Sequence, residues 1–358
     1  MLKHLLILAL LLISQVPGKS NDICKQVVLK VNIQPGLKGF LFVTTNEIED
    51  LRIDTFSLDK NFFEIKDCIK GPKQYACTVE ADGLPGLSIL LFIEPDIPLE
   101  LSLLRHNDTL SYVFSGSKTL NEWNLYENLS GKIMQKANYE DSLQLFHKAF
   151  IRQYRDSYVS GVLIALNSST WGADTLLQYL NILTPLARTY TYANHAEKIM
   201  LRKKENSVGA KMKMFTASDN NGQPFYSTML NGKPILLEFW ASWCEPCRKS
   251  FPELQKIIRQ YQPLGLEVVG ISEDIKPDAW LKAIAKDSLQ NWYHIISGLK
   301  EDVESKGPEK RISYQFGVTC FPTRILVNQK GYIIGRWEGE TETNTRELNA
   351  LFQSVFNN

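Results

Sequence analysis

Two of the six cysteines in this 358-residue chain lie three positions apart, at Cys244 and Cys247. Two thiols at this spacing lie on one face of a helix, where they can form a disulfide with each other. The pair follows a predicted buried strand, residues 235–240, and begins a predicted helix. Free N–H groups at a helix N-terminus stabilise an anion, and the thiolate is the nucleophile in disulfide exchange. The pattern therefore predicts a redox centre with Cys244 as the nucleophile.

The residues inside the motif refine this prediction. Pro246 suits the first helical turn, where its missing N–H would have had no partner within the helix. Cys247 lies one turn further along, so we expect it to be the more buried, resolving thiol. Glu245 adds a negative charge near Cys244 and offsets part of the helix-end effect, so a strongly oxidising centre is not predicted.

A carboxylate interrupts the apolar strand that precedes the motif. Glu238 lies six residues before Cys244. Burying an ionised group is costly, so a carboxylate at this place calls for a chemical reason. Burial would raise its pKa toward neutrality, which is the useful range for acid–base work. The alternative is a side chain at a strand edge that faces water.

A Cys-x-x-Cys pair has two other uses. A zinc site needs a second pair of thiol or imidazole ligands, and the five histidines show no paired spacing. A purely structural bridge between Cys244 and Cys247 stays open. Because the thiols themselves form the predicted redox centre, we expect neither a metal nor an organic cofactor.

The segment around the motif resembles a known family. Residues 232–247 read Gly-Lys-Pro-Ile-Leu-Leu-Glu-Phe-Trp-Ala-Ser-Trp-Cys-Glu-Pro-Cys, with Trp243 directly before the first cysteine. This closely resembles the active-site segment of thioredoxin-like proteins, and above all the exported TlpA/ResA-like thiol–disulfide oxidoreductases. Phe251-Pro252 is similar to the kinked active-site helix of that family. The resemblance covers about 210–358 and implies an α/β thioredoxin-like fold there.

The resemblance also implies roles for individual residues. Phe321-Pro322-Thr323 looks like the cis-proline loop of the family, in which the backbone of Phe321 pairs with an extended substrate segment and Pro322 faces the cysteines. Glu238 matches the buried acid of thioredoxin, which implies that it relays the proton of Cys247. ResA-like proteins carry an acid where this chain has Ser250, so a ResA-type substrate is not implied.

The resemblance further implies the partners. Protein thiols and disulfides are the expected substrates, and a membrane thiol carrier is the expected electron donor. The thioredoxin-like position of the acid favours a reductase or isomerase over an oxidase. Two rivals stay open: a thiol peroxidase, although no Pro-x-x-x-Thr-x-x-Cys motif is present, and a partner-binding protein with an incidental thioredoxin-like domain.

The N-terminus has the pattern of an export signal. A short positive leader precedes the apolar run 5–13, and Gly18 and Ser20 supply the small-x-small pattern before a cleavage point. Residues 1–20 are therefore predicted to be a signal peptide; an uncleaved anchor helix is the alternative. We expect the mature protein to be soluble in the periplasm or cell envelope, where disulfides persist.

The rest of the chain divides into segments of different predicted secondary structure. Residues 21–115 are predicted to form a β-rich domain, a small antiparallel sandwich or barrel, because short apolar strands alternate with turn signals. Residues 116–205 are predicted to be a helical region that ends in a linker, and 206–358 the thioredoxin-like domain. The formal net charge is +1 with no basic block, which argues against nucleic acid as a partner.

Four cysteines remain outside the motif. Cys68 and Cys77 flank a hairpin-like turn at 70–73, and a hairpin there would bring them opposite each other, so a structural disulfide is predicted. Cys24 has no evident partner. Cys320 lies two residues before Pro322 and is either a buried spectator or a third redox thiol.

Overall fold

The computed structural model describes residues 24–45, 53–95, 97–297 and 310–356. The predicted signal peptide lies outside these residues. The chain divides into two compact units. One extends to Ala165 and includes Gln178–His195, and the other contains Leu166–Leu177 and the chain from Ala196 onward. In the part of the chain that the structure describes, no helix is long and apolar enough to cross a membrane.

The β-rich prediction for the N-terminal part is confirmed as a sandwich of two four-stranded sheets, ordered β4-β1-β7-β8 and β3-β2-β5-β6. Its strands are β1 (Lys25–Ile33), β2 (Gly39–Thr45), β3 (Ile53–Ser57), β4 (Phe62–Ile69), β5 (Lys73–Ala81), β6 (Leu87–Ile93), β7 (Leu99–His106) and β8 (Thr109–Ser115). Apolar residues alternate along β1, and Val27, Leu29 and Val31 enter a core shared by both sheets. The wholly antiparallel expectation is wrong at one pair, because β1 and β7 run parallel.

The predicted disulfide between Cys68 and Cys77 is wrong. Cys68 is bonded to Cys24, and Cys77 is buried and free. The reason is that the turn at 70–73 does not form a hairpin: β4 pairs with β1 in one sheet, whereas β5 belongs to the other. Gln26 lies opposite Cys68 in the β1–β4 ladder, and Cys24 directly precedes β1, so Cys24 lies within reach of Cys68.

A helical stretch follows the sandwich. Its helices are α1 (Lys118–Met134), α2 (Tyr139–Gln153), α3 (Tyr158–Leu166), α4 (Ala173–Ile182), α5 (Pro185–Thr189) and α6 (Thr191–Glu205). Ser117 caps α1 by accepting a hydrogen bond from the Leu120 N–H. Trp123 and Tyr126 are buried on α1, and their rings lie 5.6 Å apart. The linker predicted at the end of 116–205 is not a separate segment, because α6 continues to Glu205.

The C-terminal part alternates strands and helices, as predicted. Its strands are β9 (Thr216–Ser218), β10 (Pro224–Tyr226), β11 (Ile235–Trp240), β12 (Glu267–Ser272), β13 (Tyr293–Ile296), β14 (Thr323–Val327) and β15 (Ile333–Glu338). Its helices are α7 (Glu245–Tyr261), α8 (Pro277–Lys286), α9 (Ile312–Gln315) and α10 (Glu342–Phe356). The main sheet has the order β13-β12-β11-β14-β15, with β11, β12 and β13 parallel and β14 and β15 antiparallel to their neighbours.

The central strand β11 is buried along its whole length, and its two faces enter different cores. Leu236 and Trp240 pack with α7, α8 and α10 on one face. Leu237 and Phe239 pack on the other face with the β9–β10 hairpin and α9. Because α7 begins directly after β11, the loop between them lies at the C-terminal edge of the parallel strands, where α/β proteins commonly place their sites.

Candidate active site

Cys244 and Cys247 form a disulfide at the N-terminus of α7, with their Cα atoms 5.4 Å apart. Cys244 is the N-cap residue, and its sulfur accepts from the Cys247 N–H at 3.3 Å. Pro246 lies in the first turn, as the sequence predicted. Cys244 is 5% exposed and Cys247 0%. Cys244 is thus the more accessible sulfur, and after reduction the helix N–H groups are placed to stabilise its thiolate.

A buried aspartate that the sequence analysis missed holds the loop before Cys244. Asp274 accepts from the Ser242 N–H at 2.8 Å and from the Ser242 hydroxyl at 2.5 Å. The Ser272 hydroxyl also donates to it, at 2.6 Å. A carboxylate two residues after a buried parallel strand was the available signal, since such side chains collect at the sheet edge that carries the site.

An arginine–aspartate pair fixes the first turn of α7. Arg248 makes a bidentate contact to Asp287, through Nε to Oδ2 at 2.6 Å and Nη2 to Oδ1 at 2.9 Å. Its Nη1 also donates to the Ser242 carbonyl at 3.4 Å. A bidentate pair of this kind restrains orientation as well as distance. Nothing in the local sequence pattern pointed to it.

Glu245, inside the motif, faces solvent. Its carboxylate lies 2.7 Å from Lys249 Nζ, one helical turn away. That hydrogen bond lowers the pKa of Glu245. The negative charge of Glu245 is therefore present near Cys244, but Lys249 neutralises much of it.

Two aromatic rings flank the disulfide. Trp243 is 59% exposed, and its ring stands perpendicular to that of Phe321 with 5.9 Å between centroids. Phe321 packs against the cluster that contains both cysteines. The Phe321–Pro322 peptide bond is cis, as the resemblance implied. The pair presents an apolar surface beside the redox centre.

Glu238 is fully buried, so the alternative of a water-facing side chain is wrong. Its Oε2 lies 2.8 Å from Arg324 Nε, and its Oε1 is buried without a hydrogen-bond partner in the described part of the chain. Burial raises the pKa of Glu238 to about 7 even though the Arg324 charge acts in the opposite direction. A carboxyl group that titrates near neutrality can both accept and release a proton under physiological conditions.

Arg324 is a further residue that the sequence analysis missed. It is buried on β14, opposite Glu238 in the ladder with β11. Its Nη2 donates to the Ser250 hydroxyl at 2.7 Å, and that hydroxyl donates to the Cys247 carbonyl at 2.8 Å. Ser250, which stands where ResA-like proteins carry an acid, thus connects Arg324 to the turn that carries Cys247.

Cys320 is half-buried and free. Burial raises the pKa of its thiol, and its sulfur donates to the Ser169 carbonyl at 3.7 Å. A protonated thiol is a poor nucleophile, so this environment favours the spectator interpretation.

Comparison with known proteins gives matches over about two fifths of the chain. Residues 208–336 match the model of the AhpC/TSA family. The thiol-disulfide oxidoreductase ResA of Bacillus thuringiensis (strain Al Hakam) is 29% identical over 138 residues, which are 38% of this chain and 73% of that protein. ResA of Bacillus subtilis (strain 168) is 26% identical over 132 residues, 37% of this chain and 68% of that protein.

The solved structures that match cover a similar share of the chain. The thioredoxin domain of a thiol-disulfide oxidoreductase from Bacteroides vulgatus is 25% identical, with a TM-score of 0.34, and covers 41% of this chain and 98% of its own. A thiol-disulfide oxidoreductase from Bacteroides fragilis is 28% identical, with a TM-score of 0.33, and covers 39% of this chain and 98% of its own. The segment that matches the family contains Glu238, both motif cysteines and the cis-proline loop.

Proposed function

We propose, from the premise that the C-terminal part of this chain is a thioredoxin-like thiol–disulfide oxidoreductase domain, that the protein is exported and exchanges its Cys244–Cys247 dithiol with protein substrates. The observation that carries the proposal is the Cys244–Cys247 disulfide at the N-terminus of α7. This helix packs against β11, the strand that carries the buried Glu238. A structural bridge would not require a buried carboxyl group with a pKa of about 7 that is connected to the Cys247 carbonyl through Arg324 and Ser250.

The chemistry proceeds by two displacements. The Cys244 thiolate attacks one sulfur of a substrate disulfide, which forms a mixed disulfide and releases the other substrate sulfur as a thiolate. Cys247 then loses its proton and attacks Cys244, which releases the second substrate thiolate and forms the Cys244–Cys247 bond. Two electrons pass from the protein to the substrate, and the disulfide in the structure is the product state of this cycle.

Glu238 acts as the proton relay for the second displacement. Cys247 is fully buried, so its proton has no direct route to water. Ionised Glu238 accepts that proton and later releases it, for which a pKa of about 7 is suited. In the reverse direction protonated Glu238 returns a proton to the Cys247 thiolate.

Substrate binding involves the surface beside Cys244. The backbone of Phe321, next to the cis bond of Pro322, pairs with an extended substrate segment, and the rings of Trp243 and Phe321 pack against an apolar residue next to the substrate cysteine. A protein substrate fits this surface better than a small peroxide, which needs no such surface.

Direction and location complete the proposal. Lys249 neutralises much of the Glu245 charge near Cys244, and the thioredoxin-like position of Glu238 is what favours reduction or isomerisation of substrates over their oxidation. Export to the periplasm or cell envelope is supported by the leader at 1–20 and by the Cys24–Cys68 disulfide, since such bonds persist in oxidising compartments. Electrons then come from a membrane thiol carrier.

The test is insulin reduction combined with trapping. The reduced wild-type protein is expected to reduce insulin, Cys244→Ser to be inactive, and Cys247→Ala to accumulate mixed disulfides on Cys244 that mass spectrometry identifies. Equal turnover in Cys244→Ser and wild type would favour a partner-binding protein. Rapid consumption of hydroperoxide without insulin reduction would favour a thiol peroxidase.

A further inference from the structure

The buried Arg324 side chain links three elements of the C-terminal part. Its Nε lies 2.8 Å from Glu238 Oε2, and its Nη1 lies 2.7 Å from Glu340 Oε2. Its Nη2 donates to Ser250 Oγ at 2.7 Å, and Ser250 is bonded to the Cys247 carbonyl. One guanidinium therefore connects the buried acid, a second acid and the turn that carries the resolving thiol.

The two acids differ in their access to water. The Glu340 side chain is 24% exposed and that of Glu238 is 0%. With both carboxylates ionised, the group of three has a charge of −1, because one arginine faces two acids. Glu238 is the member that takes up a proton, since it is desolvated and its Oε1 has no hydrogen-bond partner among the described residues. The Arg324 charge lowers the pKa of Glu238, and the Glu340 charge raises it.

The other elements around Glu238 bring no further charge to it within the described residues. On β12 its partner is Gly270, which has no side chain. Beyond Gly270 lies His294 on β13, whose Nδ1 would lie 3.0 Å from a Cβ at Gly270. Burial lowers the pKa of His294, so the imidazole is neutral near pH 7. On α7, Cys247 is held in the disulfide.

We propose that Arg324 and Glu340 are positioning residues that act on the proton relay with opposite sign. Arg324 holds Glu238 ionised, and Glu340 weakens that hold by drawing on the same guanidinium. Loss of the Arg324 charge keeps Glu238 protonated to higher pH, whereas loss of the Glu340 charge lets it ionise at lower pH. This inference rests on the function proposed above, in which Glu238 exchanges a proton with Cys247.

The direct test is a titration of Glu238 in the full-length, oxidised protein. Glutamate side chains are labelled with ¹³C at the carboxyl carbon, and the resonance that Glu238→Gln removes is followed from pH 5 to 9. Arg324→Gln is expected to raise the midpoint by at least about one pH unit. Glu340→Gln is expected to lower it by roughly half a unit to one unit. Arg324→Lys, which retains the charge, is expected to stay nearer to wild type than Arg324→Gln.

A matched control separates this effect from loss of an ion pair as such. Arg311 lies 2.8 Å from Glu273 in the same unit, and this ion pair includes neither Glu238 nor a motif cysteine. Arg311→Gln should leave the Glu238 midpoint unchanged. If Arg324→Gln does not fold, the Glu238 midpoints of Glu340→Gln and Arg324→Lys test the proposal. Midpoints that shift in the same direction in Arg324→Gln and Glu340→Gln, or a Glu340→Gln midpoint equal to wild type, would overturn the proposal.

A kinetic measurement connects the titration to the chemistry. The rate at which Cys247 resolves a preformed mixed disulfide on Cys244 is measured against pH by stopped flow. Across the variants, the midpoint of this rate–pH profile is expected to shift in the same order as the midpoint of the Glu238 resonance. Resonance shifts without matching rate shifts would overturn the positioning role. Failure of the proposed function itself is a separate outcome, seen as insulin reduction that survives Cys244→Ser.

Discussion

The two disulfides in the described residues close loops of very different kinds. Cys24 and Cys68 are 44 residues apart, and their bond joins the residue directly before β1 to β4, the strand that pairs with β1. Cys244 and Cys247 are three residues apart, in the first turn of a helix. A long closed loop restricts the unfolded chain strongly, whereas a short one restricts it little and leaves both thiols together after reduction. The first bond therefore stabilises a fold and the second is available for exchange.

The acids associated with the two bonds differ in the same way. Burial by itself would raise the pKa of Asp67, next to Cys68, but hydrogen bonds from Tyr75, Lys73 and the Cys68 N–H outweigh it and lower the pKa. Glu238 has Arg324 as a close partner but is completely desolvated, and its pKa is raised. The surroundings of Asp67 therefore favour its ionised form, whereas burial brings the pKa of Glu238 to about 7, which suits the proposed proton relay.

The largest expected effect is on turnover and separates the two bonds directly. Cys244→Ser removes the nucleophile, so insulin reduction should fall by roughly 1,000-fold or more. Cys68→Ala should retain wild-type turnover under the same assay, because its sulfur takes no part in exchange. Comparable losses in the two variants would remove the distinction between them.

The stability of the sandwich should respond in the opposite pattern. Replacing both Cys24 and Cys68 by Ala is expected to lower the free energy of unfolding of the sandwich by about 2–5 kcal/mol, because the unfolded chain gains freedom. Hydrogen exchange of the β1 and β4 amides measures the change in that unit. A Cys244→Ala/Cys247→Ala protein should leave those amides protected; faster exchange there would contradict the assignment.

The pH dependence of resolution sharpens the contrast between the acids. Glu238 must be ionised to accept a proton, so the rate of the Cys247 step should fall as the pH drops below about 7. Glu238→Gln should remove this inflection and slow the step roughly 100-fold at pH 7. Asp67→Asn serves as the control and should leave the profile unchanged. A wild-type inflection that persists in Glu238→Gln would assign the proton to another group.

Stability should also vary with pH through Glu238. A folded-state pKa raised above the ordinary value means that the folded protein binds the proton more tightly, so the Glu238 contribution opposes folding as the pH rises from about 4.5 to about 7. Glu238→Gln removes that dependence, so its unfolding free energy relative to wild type should be higher at pH 8 than at pH 5. Urea denaturation at both pH values measures the difference, and the reverse sign would contradict the buried, raised state of this acid.

The smallest expected effect concerns substrate contact. Trp243→Ala should raise KM for insulin several-fold with little change in kcat, because it removes exposed apolar surface beside Cys244. Phe40 on the sandwich is similarly exposed, at 50%, and Phe40→Ala is the control that should change neither constant. An equal effect of both variants would place substrate binding outside the cis-proline face.

Much of the C-terminal site was predictable because its signals are local. Three-residue spacing, a proline in the first helical turn and a carboxylate inside an apolar strand are properties of short segments, and the structure places Cys244, Cys247 and Pro246 at one helix end. The burial of Glu238 followed from the same kind of argument, since its strand is apolar on both sides.

The errors concern pairings between segments. The Cys68–Cys77 prediction assumed that two strands joined by a short turn must pair, but that turn carries the chain from one sheet to the other. The parallel contact between β1 and β7 was missed for the same reason, because the two strands are adjacent in space and not in sequence.

The atoms that can do chemistry here are evident from the order of residues alone: two thiols on one helical face and an acid six residues before the first of them. The groups that surround those atoms depend on long-range packing. Arg324 reaches Glu238 from 86 residues away, and Asp274 reaches Ser242 from 32 residues away. Such contacts depend on strand order and register, which arise from packing the whole sheet, whereas helix spacing and capping are set by a few consecutive residues.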